Sequence, residues 1–184
     1  MLKLGSLKGP QPASVDDVLG SYDHSNTINL FALGALVAWL RGETAATGVP
    51  QGGARLPAPD VTLPKLALPE DVSPETWAMV ERLNKFGDRP QPLILASMYR
   101  HLAHAPHFLE KVEAGLRPVQ ADGSLERAIA GNRDRAAAKA RVMARAISAS
   151  RPTEAARIET GVAAFVEHAI GKMVTICRSI RAAR

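Results

Sequence analysis

The sequence predicts an all-α protein, and three observations support this class. Only 4% of the 184 residues are aromatic, whereas β-sandwich strands rely on aromatic and β-branched side chains. Alanine, the residue with the highest helix propensity, is abundant. Apolar residues recur at helical spacing, and no stretch shows the sustained alternation of a half-buried strand. This length suits one globular domain, so we expect an extended segment over 1–13 and a single helical domain over 14–184.

Two helices are predicted at the start of that domain. Ser14, which is followed by two aspartates, is a candidate N-cap for a short helix that ends near Tyr22. Ser25 or Asn26 can cap a second helix, which is apolar on most of its faces and ends at Gly42.

A long irregular connection is predicted over 42–73. Five prolines and, after Gly42, three glycines exclude a long helix or a central strand from this stretch. Ser73 and Pro74 then mark a helix start, with proline at the first helical position. Proline and glycine positions predict four further helices, which brings the total to about seven; they span 93–104, 106–116, 124–150 and 153–184.

The single cysteine, Cys177, restricts the chemistry that this chain can perform. One cysteine excludes an internal disulfide, a CxxC redox pair and a cysteine-based zinc site. Because Cys177 lies in an apolar helix, we expect a small buried side chain rather than a nucleophile paired with His168.

Three histidines, His101, His104 and His107, recur at three-residue spacing. Positions three apart on a helix share a face, so the first two could reach one metal ion. Pro106 separates His107 from that face, and no carboxylate lies at a matching spacing. We therefore expect neither a metal nor a cofactor.

The net charge of +5 permits anionic partners without identifying one. Arginines cluster over 126–157, but Glu126, Asp134 and Glu154 lie among them and no aromatic residue there could stack on a base. We expect a solvated helix face and no nucleic acid partner; a nucleic-acid-associated helical protein is the alternative.

The longest apolar run, Leu30 to Leu40, is too short to span a bilayer, and no secretory signal is recognisable, so we expect a cytoplasmic protein without membrane contact.

Two polar segments, 22–26 and 97–101, interrupt otherwise apolar stretches. Buried polar groups need partners or a ligand, and the pattern predicts that the two segments face each other. An N-cap role for Asn26 and a surface salt bridge for Arg100 are the simpler interpretations of those residues taken singly.

The stretch from Leu19 to Asn26, continued by Asn29, Leu30 and an apolar helix, resembles the group I 2-haloacid dehalogenases. The stretches 95–109 and 161–177 are similar to helices in the second half of that family. The resemblance implies the alkyl hydroperoxidase D-like helical fold, built in that family from two similar halves. It also implies hydrolysis of a carbon–halogen bond by an activated water molecule.

Within this resemblance, Asn26 falls on an active-site asparagine and Ser97 on the serine beside the catalytic aspartate. Met98 falls on the aspartate that activates water, and a thioether has no basic lone pair that could take the proton. No carboxylate occurs between Arg89 and Glu110, so a shift in the alignment does not restore that aspartate. The catalytic residues are therefore unknown.

We expect a dehalogenase-like protein that binds a small organic acid beside five residues: Asn26, Ser97, Met98, Tyr99 and Arg100. Arg100 or a helix N-terminus would hold the carboxylate. The alternative is hydrolytic 2-haloacid dehalogenation with Asp23 or His101 as a displaced base.

The family has a further stretch before the segment that here begins at Tyr22. Either Met1 is an internal start of a longer protein, or this chain is a shortened relative. An incomplete pair of halves would expose apolar surface that a second copy could cover, so we expect a homodimer.

Overall fold

The secondary structure of the described residues is helical, with irregular connections, which confirms the all-α prediction. The computed structural model describes residues 13–45, 47–48, 60–87 and 95–184, and no strand occurs among them. The elements are α1 (Val15–Arg41), a 3-10 turn (Pro69–Asp71), α2 (Pro74–Asn84), α3 (Ser97–Leu102), α4 (Pro106–Ala121), α5 (Ser124–Ala144), α6 (Ala155–Ala164), a π-helical segment (Phe165–Ile170) and α7 (Gly171–Ala182). The last three run on without a break, so these residues form six helices rather than about seven.

The difference in number arises at α1, because the first two predicted helices are one. Its start and end agree with the sequence: Ser14 Oγ accepts from the Asp17 N–H at 3.2 Å, and Gly42 ends the helix with a φ of 76°. Ser25 does not begin a helix. Its hydroxyl donates to Ser21 O, one turn back, at 2.8 Å, so the backbone continues in helical form.

Other boundaries differ from the predicted ones by a few residues. Ser73 caps α2 as expected, with its Oγ accepting from the Thr76 N–H. The helix predicted to reach 150 ends at Ala144. After this residue each backbone N–H bonds to the carbonyl three residues back instead of four, as in the bond from the Ile147 N–H to Ala144 O. The start of the helix predicted from 93 lies outside the described residues.

Two clusters of buried side chains hold the helices together. The larger one packs α2, α3, α4 and α7 against the beginning of α1, around Leu19, Tyr99 and Leu109, which are 0% exposed. The smaller one joins α1, α5 and the π-helical segment around Leu30 and Ile170. The close approach of α1 and α5 depends on small residues, because a Cβ added at position 34 would lie 3.2 Å from Ala140 Cβ.

The predicted domain boundaries fall partly outside the described residues. Of the predicted segment 1–13, only Ala13 is described. The described parts of the connection over 42–73 contain one 3-10 turn and no other helix or strand after Gly42. Across the described residues, the helices lack the length and apolar character needed to span a membrane.

Candidate functional site

The two polar segments meet where α1 passes α3. Tyr22 Oη lies 2.8 Å from His101 Nδ1, and the centroids of the two rings are 5.7 Å apart. The proximity predicted from the sequence is therefore observed, although the contact is made by Tyr22 rather than by Asn26. Asn26 lies one turn further along α1 and is half-buried.

The hydrogen bonds of His101 determine its tautomer. His101 Nε2 lies 2.8 Å from Pro64 O, and because a carbonyl oxygen can only accept, Nε2 carries the proton. In the neutral ring Nδ1 then has the free lone pair, which accepts from the Tyr22 hydroxyl. His101 is only 9% exposed, and this burial lowers its pKa, which favours the neutral ring.

Burial acts on Tyr22 in the opposite direction. Loss of solvent raises the pKa of Tyr22 to about 12, so the phenol stays protonated and donates to His101 at neutral pH. A hydrogen bond with the side chain of Ser97 and the positive charge of Arg100 oppose this rise. We call Tyr22, Ser97, Arg100 and His101 the tyrosine–histidine cluster.

Side chains of α3 and the turn after it also hold the connection in place. Three of them bond to backbone oxygens of residues 64–67: Arg100 Nε donates to Ala67 O at 2.9 Å, His101 Nε2 to Pro64 O at 2.8 Å, and His104 Nε2 lies 2.8 Å from Lys65 O. These contacts occupy the nitrogens that the histidine spacing suggested for a metal. Within the described ranges, no three His, Cys, Asp or Glu side chains are placed to hold a metal ion.

The five predicted binding residues have different surroundings. Ser97 and Arg100 belong to the tyrosine–histidine cluster, on the side of α3 that faces α1 and the connection. Met98 and Tyr99 are 1% and 0% exposed and pack in the larger core cluster. Neither of the cavities described below is lined by any of the five. Their role in binding stays a prediction.

The two candidates for a displaced base are engaged in different ways. Asp23 Oδ1 accepts from Arg178 Nε at 2.8 Å, and Asp23 Oδ2 forms an ion pair with Arg181, so both oxygens face positive charge. His101 has a lone pair that is directed at a hydroxyl group.

Sequence reasoning left Tyr22 out of the predicted site and could not find the carbonyls of 64–67, since backbone oxygens carry no sequence signal.

Cys177 is buried, as predicted. It is 0% exposed, and its thiol donates to Leu19 O at 3.3 Å. Burial raises the pKa of Cys177 to about 12, which keeps the thiol protonated and unreactive. His168, the suggested partner, lies exposed in the π-helical segment.

A cleft of about 310 Å³ lies between α1, α5 and the π-helical segment. At this cleft Arg133 Nη1 donates to Glu167 O at 2.8 Å, and Arg41 pairs with Glu159 and Glu167. The arginines of α5 that could form a basic surface are thus partly engaged within the chain; Arg141 pairs with Glu43 in the same way. The nucleic-acid alternative stays a prediction.

Comparison with known proteins leaves the family of this chain open. No match was found among protein-family models, curated proteins or solved structures. The similarity to the group I 2-haloacid dehalogenases therefore stays an expectation from the sequence.

Proposed function

We propose that this protein binds a small organic acid at the tyrosine–histidine cluster. The observation that carries the proposal is the position of Arg100. Its charge lies near Tyr22, and its Nε donates to Ala67 O. This bond holds the guanidinium in place, and among the described residues neither Nη group takes part in a hydrogen bond. Two Nη donors match the geometry of a carboxylate, and the hydroxyls of Tyr22 and Ser97 supply further polar contacts.

The proposal includes a dehalogenase-like scaffold with the alkyl hydroperoxidase D-like fold. Its support is the resemblance of the segments that contain Asn26 and Ser97. The position that corresponds to the family's aspartate is Met98, which is 1% exposed in the core. This placement favours binding without the standard catalytic base.

Hydrolysis of a 2-haloacid is a second candidate function, and the hydrogen bond between Tyr22 and His101 favours it. His101 Nδ1 would take the Tyr22 proton while Tyr22 takes a proton from water. The resulting hydroxide would attack the carbon that bears the halogen, forming a carbon–oxygen bond as the halide leaves with the bonding electrons. His101 would hold the extra proton as an imidazolium. Asp23 is a weaker candidate, because two arginines bind its oxygens.

Calorimetric titration with propionate tests the binding proposal. Arg100→Met should weaken propionate binding at least about tenfold, the effect of one lost hydrogen bond to a charged group. Arg157→Met is the matched control, because it removes the same charge from an exposed ion pair at the start of α6, outside the tyrosine–histidine cluster. If Arg100→Met binds propionate as the wild type does, the proposal is wrong.

Halide release from 2-chloropropionate tests the second candidate separately. The wild type should release halide, and both Tyr22→Phe and His101→Gln should abolish the release while propionate binding persists. If the wild type releases no halide at any pH at which it stays folded, the hydrolytic function is rejected and the binding function stands.

We also propose that the protein forms a homodimer. Ile28 on α1 and Phe165 on the π-helical segment are 48% and 44% exposed, and these two elements pack side by side. Large apolar side chains on adjacent helices form a surface that a second copy could cover.

A further inference from the structure

A second cavity lies along α4, away from the residues of the tyrosine–histidine cluster. This groove has a volume of about 490 Å³ and is formed by α4, the first turn of α5 and the last turn of α7. Its walls include Val112, Leu116, Leu125 and Ile180, each at most 7% exposed. The groove therefore has a firm apolar floor, because these side chains belong to the larger core cluster.

Gly115 keeps the groove open. It lies on the α4 side of the groove, and a Cβ added at this position would meet nothing within 4 Å. A glycine within a helix costs about 1 kcal/mol relative to alanine. At position 115 no close contact makes glycine necessary, whereas a larger side chain there would project into the groove.

Positive charge is concentrated at one end of the groove. Arg184 Cζ lies 5.3 Å from the centroid of the Phe108 ring, and Arg184 Nη1 donates to Asp16 Oδ1 at 2.5 Å. Lys111 lies about one turn after Phe108 on the same side of α4 and also lines the groove. The opposite end, near Val119 and Leu125, is apolar except for the hydroxyl of Ser124. Lys111 and Arg184 thus lie at one end of the groove, where Asp16 pairs with Arg184, and the rest of the groove is mainly apolar.

We propose that this groove binds a single alkyl carboxylate of medium chain length. Its volume falls within the range of small-molecule sites, and burial of an alkyl chain against the floor would supply most of the affinity. Lys111 would hold the carboxylate at the Phe108 end, as cations next to apolar surface commonly do, and Arg184, which is paired with Asp16, would lie beside it. This site shares no residue with the tyrosine–histidine cluster and does not depend on the function proposed there.

Displacement of the fluorescent probe dansyl-undecanoate tests the ligand class. Decanoate should displace the probe about tenfold better than decanol does, because only the acid can pair with the cations. Butyrate should be about fiftyfold weaker than decanoate, since the open groove recovers roughly half of the transfer free energy of each missing methylene. Equal affinities for decanoate and decanol, or for decanoate and butyrate, would overturn the proposal.

Two variants test the location. Gly115→Phe should fill the groove and weaken probe binding at least about tenfold, with no loss of thermal stability because nothing there must move. Gly161→Phe is the matched control, since a Cβ at position 161 also meets nothing within 4 Å and the site lies outside the groove. Unchanged binding in Gly115→Phe, or equal loss in both variants, would refute the assignment.

A third variant and a membrane control complete the test. Lys111→Met should remove the preference for decanoate over decanol, whereas Arg157→Met, which removes a cation outside the groove, should leave decanoate binding unchanged. Sedimentation with vesicles of phosphatidylglycerol distinguishes a free carboxylate from a lipid surface. Binding to such vesicles without binding to monomeric decanoate would show that the groove recognises a membrane, and the proposal would then be wrong.

Discussion

Replacing Gly171 by alanine is expected to destabilise the protein, although this change usually stabilises a helix. The backbone at Gly171 is helical, with φ −57° and ψ −40°, so alanine fits the local conformation and propensity alone predicts a gain of about 1 kcal/mol. The tertiary contacts predict the reverse. An alanine Cβ would lie 2.8 Å from Arg133 Cγ and 3.1 Å from Arg133 Cδ, which is too close for these atoms, and 3.2 Å from the backbone oxygen of Val166.

The expected destabilisation follows from the hydrogen bond that Arg133 would then lose. Because Arg133 Cγ lies near the α5 backbone, the clash with the new Cβ is relieved only by rotation of Arg133 about χ1. This rotation takes Nη1 away from Glu167 O. A hydrogen bond from a charged donor contributes about 1.5–3 kcal/mol. Subtracting the gain in propensity leaves a net destabilisation of about 0.5–2 kcal/mol, or a fall in Tm of a few degrees.

Urea unfolding followed by circular dichroism measures this effect. Gly161→Ala is the control in the same helix, and it should stabilise the protein by about 0.5–1 kcal/mol because its Cβ meets nothing within 4 Å. In an Arg133→Ala background, Gly171→Ala should destabilise the protein less than it does in the wild type, since only the contact with Val166 O remains. If Gly171→Ala stabilises the wild type as much as Gly161→Ala does, the contact between Arg133 and the π-helical segment is refuted.

Four other predictions concern buried groups and association. Cys177 should react with Ellman's reagent only on global unfolding, since a pKa of about 12 leaves about 10⁻⁴ of the thiol ionised at pH 8; rapid reaction of the native protein would contradict its burial. The free energy of unfolding should fall as the pH drops below about 6.5, because burial lowers the pKa of His101 in the folded state and the unfolded chain binds the proton more tightly, and His101→Gln should flatten this fall. A further loss should occur in acid, where Glu113 on α4 is protonated; its ion pairs with Arg82 and Arg117 lower its pKa in the folded state, so Glu113→Gln should reduce the acid dependence. Light scattering should give twice the mass of one chain and a shift to monomer for Phe165→Lys, whereas a monomeric wild type would rule out the homodimer.

The helix ends were largely predictable because they depend on local chemistry. Ser14, Gly42 and Ser73 act where the sequence placed them, since a cap forms bonds within a few residues of itself. The interior of α1 was not predictable in this way. Local reasoning assigned a cap to Ser25 or Asn26, but the partners that let a polar segment continue as helix, such as Arg178 for Asp23, lie far along the chain.

The candidate site was likewise predictable from the sequence only in part. The sequence predicted that the segments around Tyr22 and His101 face each other, because polar groups in apolar stretches need partners. It could not show that Met98 and Tyr99 point into the core, nor that residues 64–67 supply the carbonyl acceptors. Those facts depend on the rotation of a six-residue helix against its neighbours.

By itself, the sequence determined that this protein is all-α, where its main helices are capped, and that its one cysteine is a buried side chain. These properties follow from composition, short-range hydrogen bonding and apolar periodicity. Only the tertiary structure decided the tautomer of His101, the π-helical segment held by Arg133, and the groove beside Gly115. Each of these arises where residues distant in sequence compete for the same space or share a proton, and local patterns carry no information about such contacts.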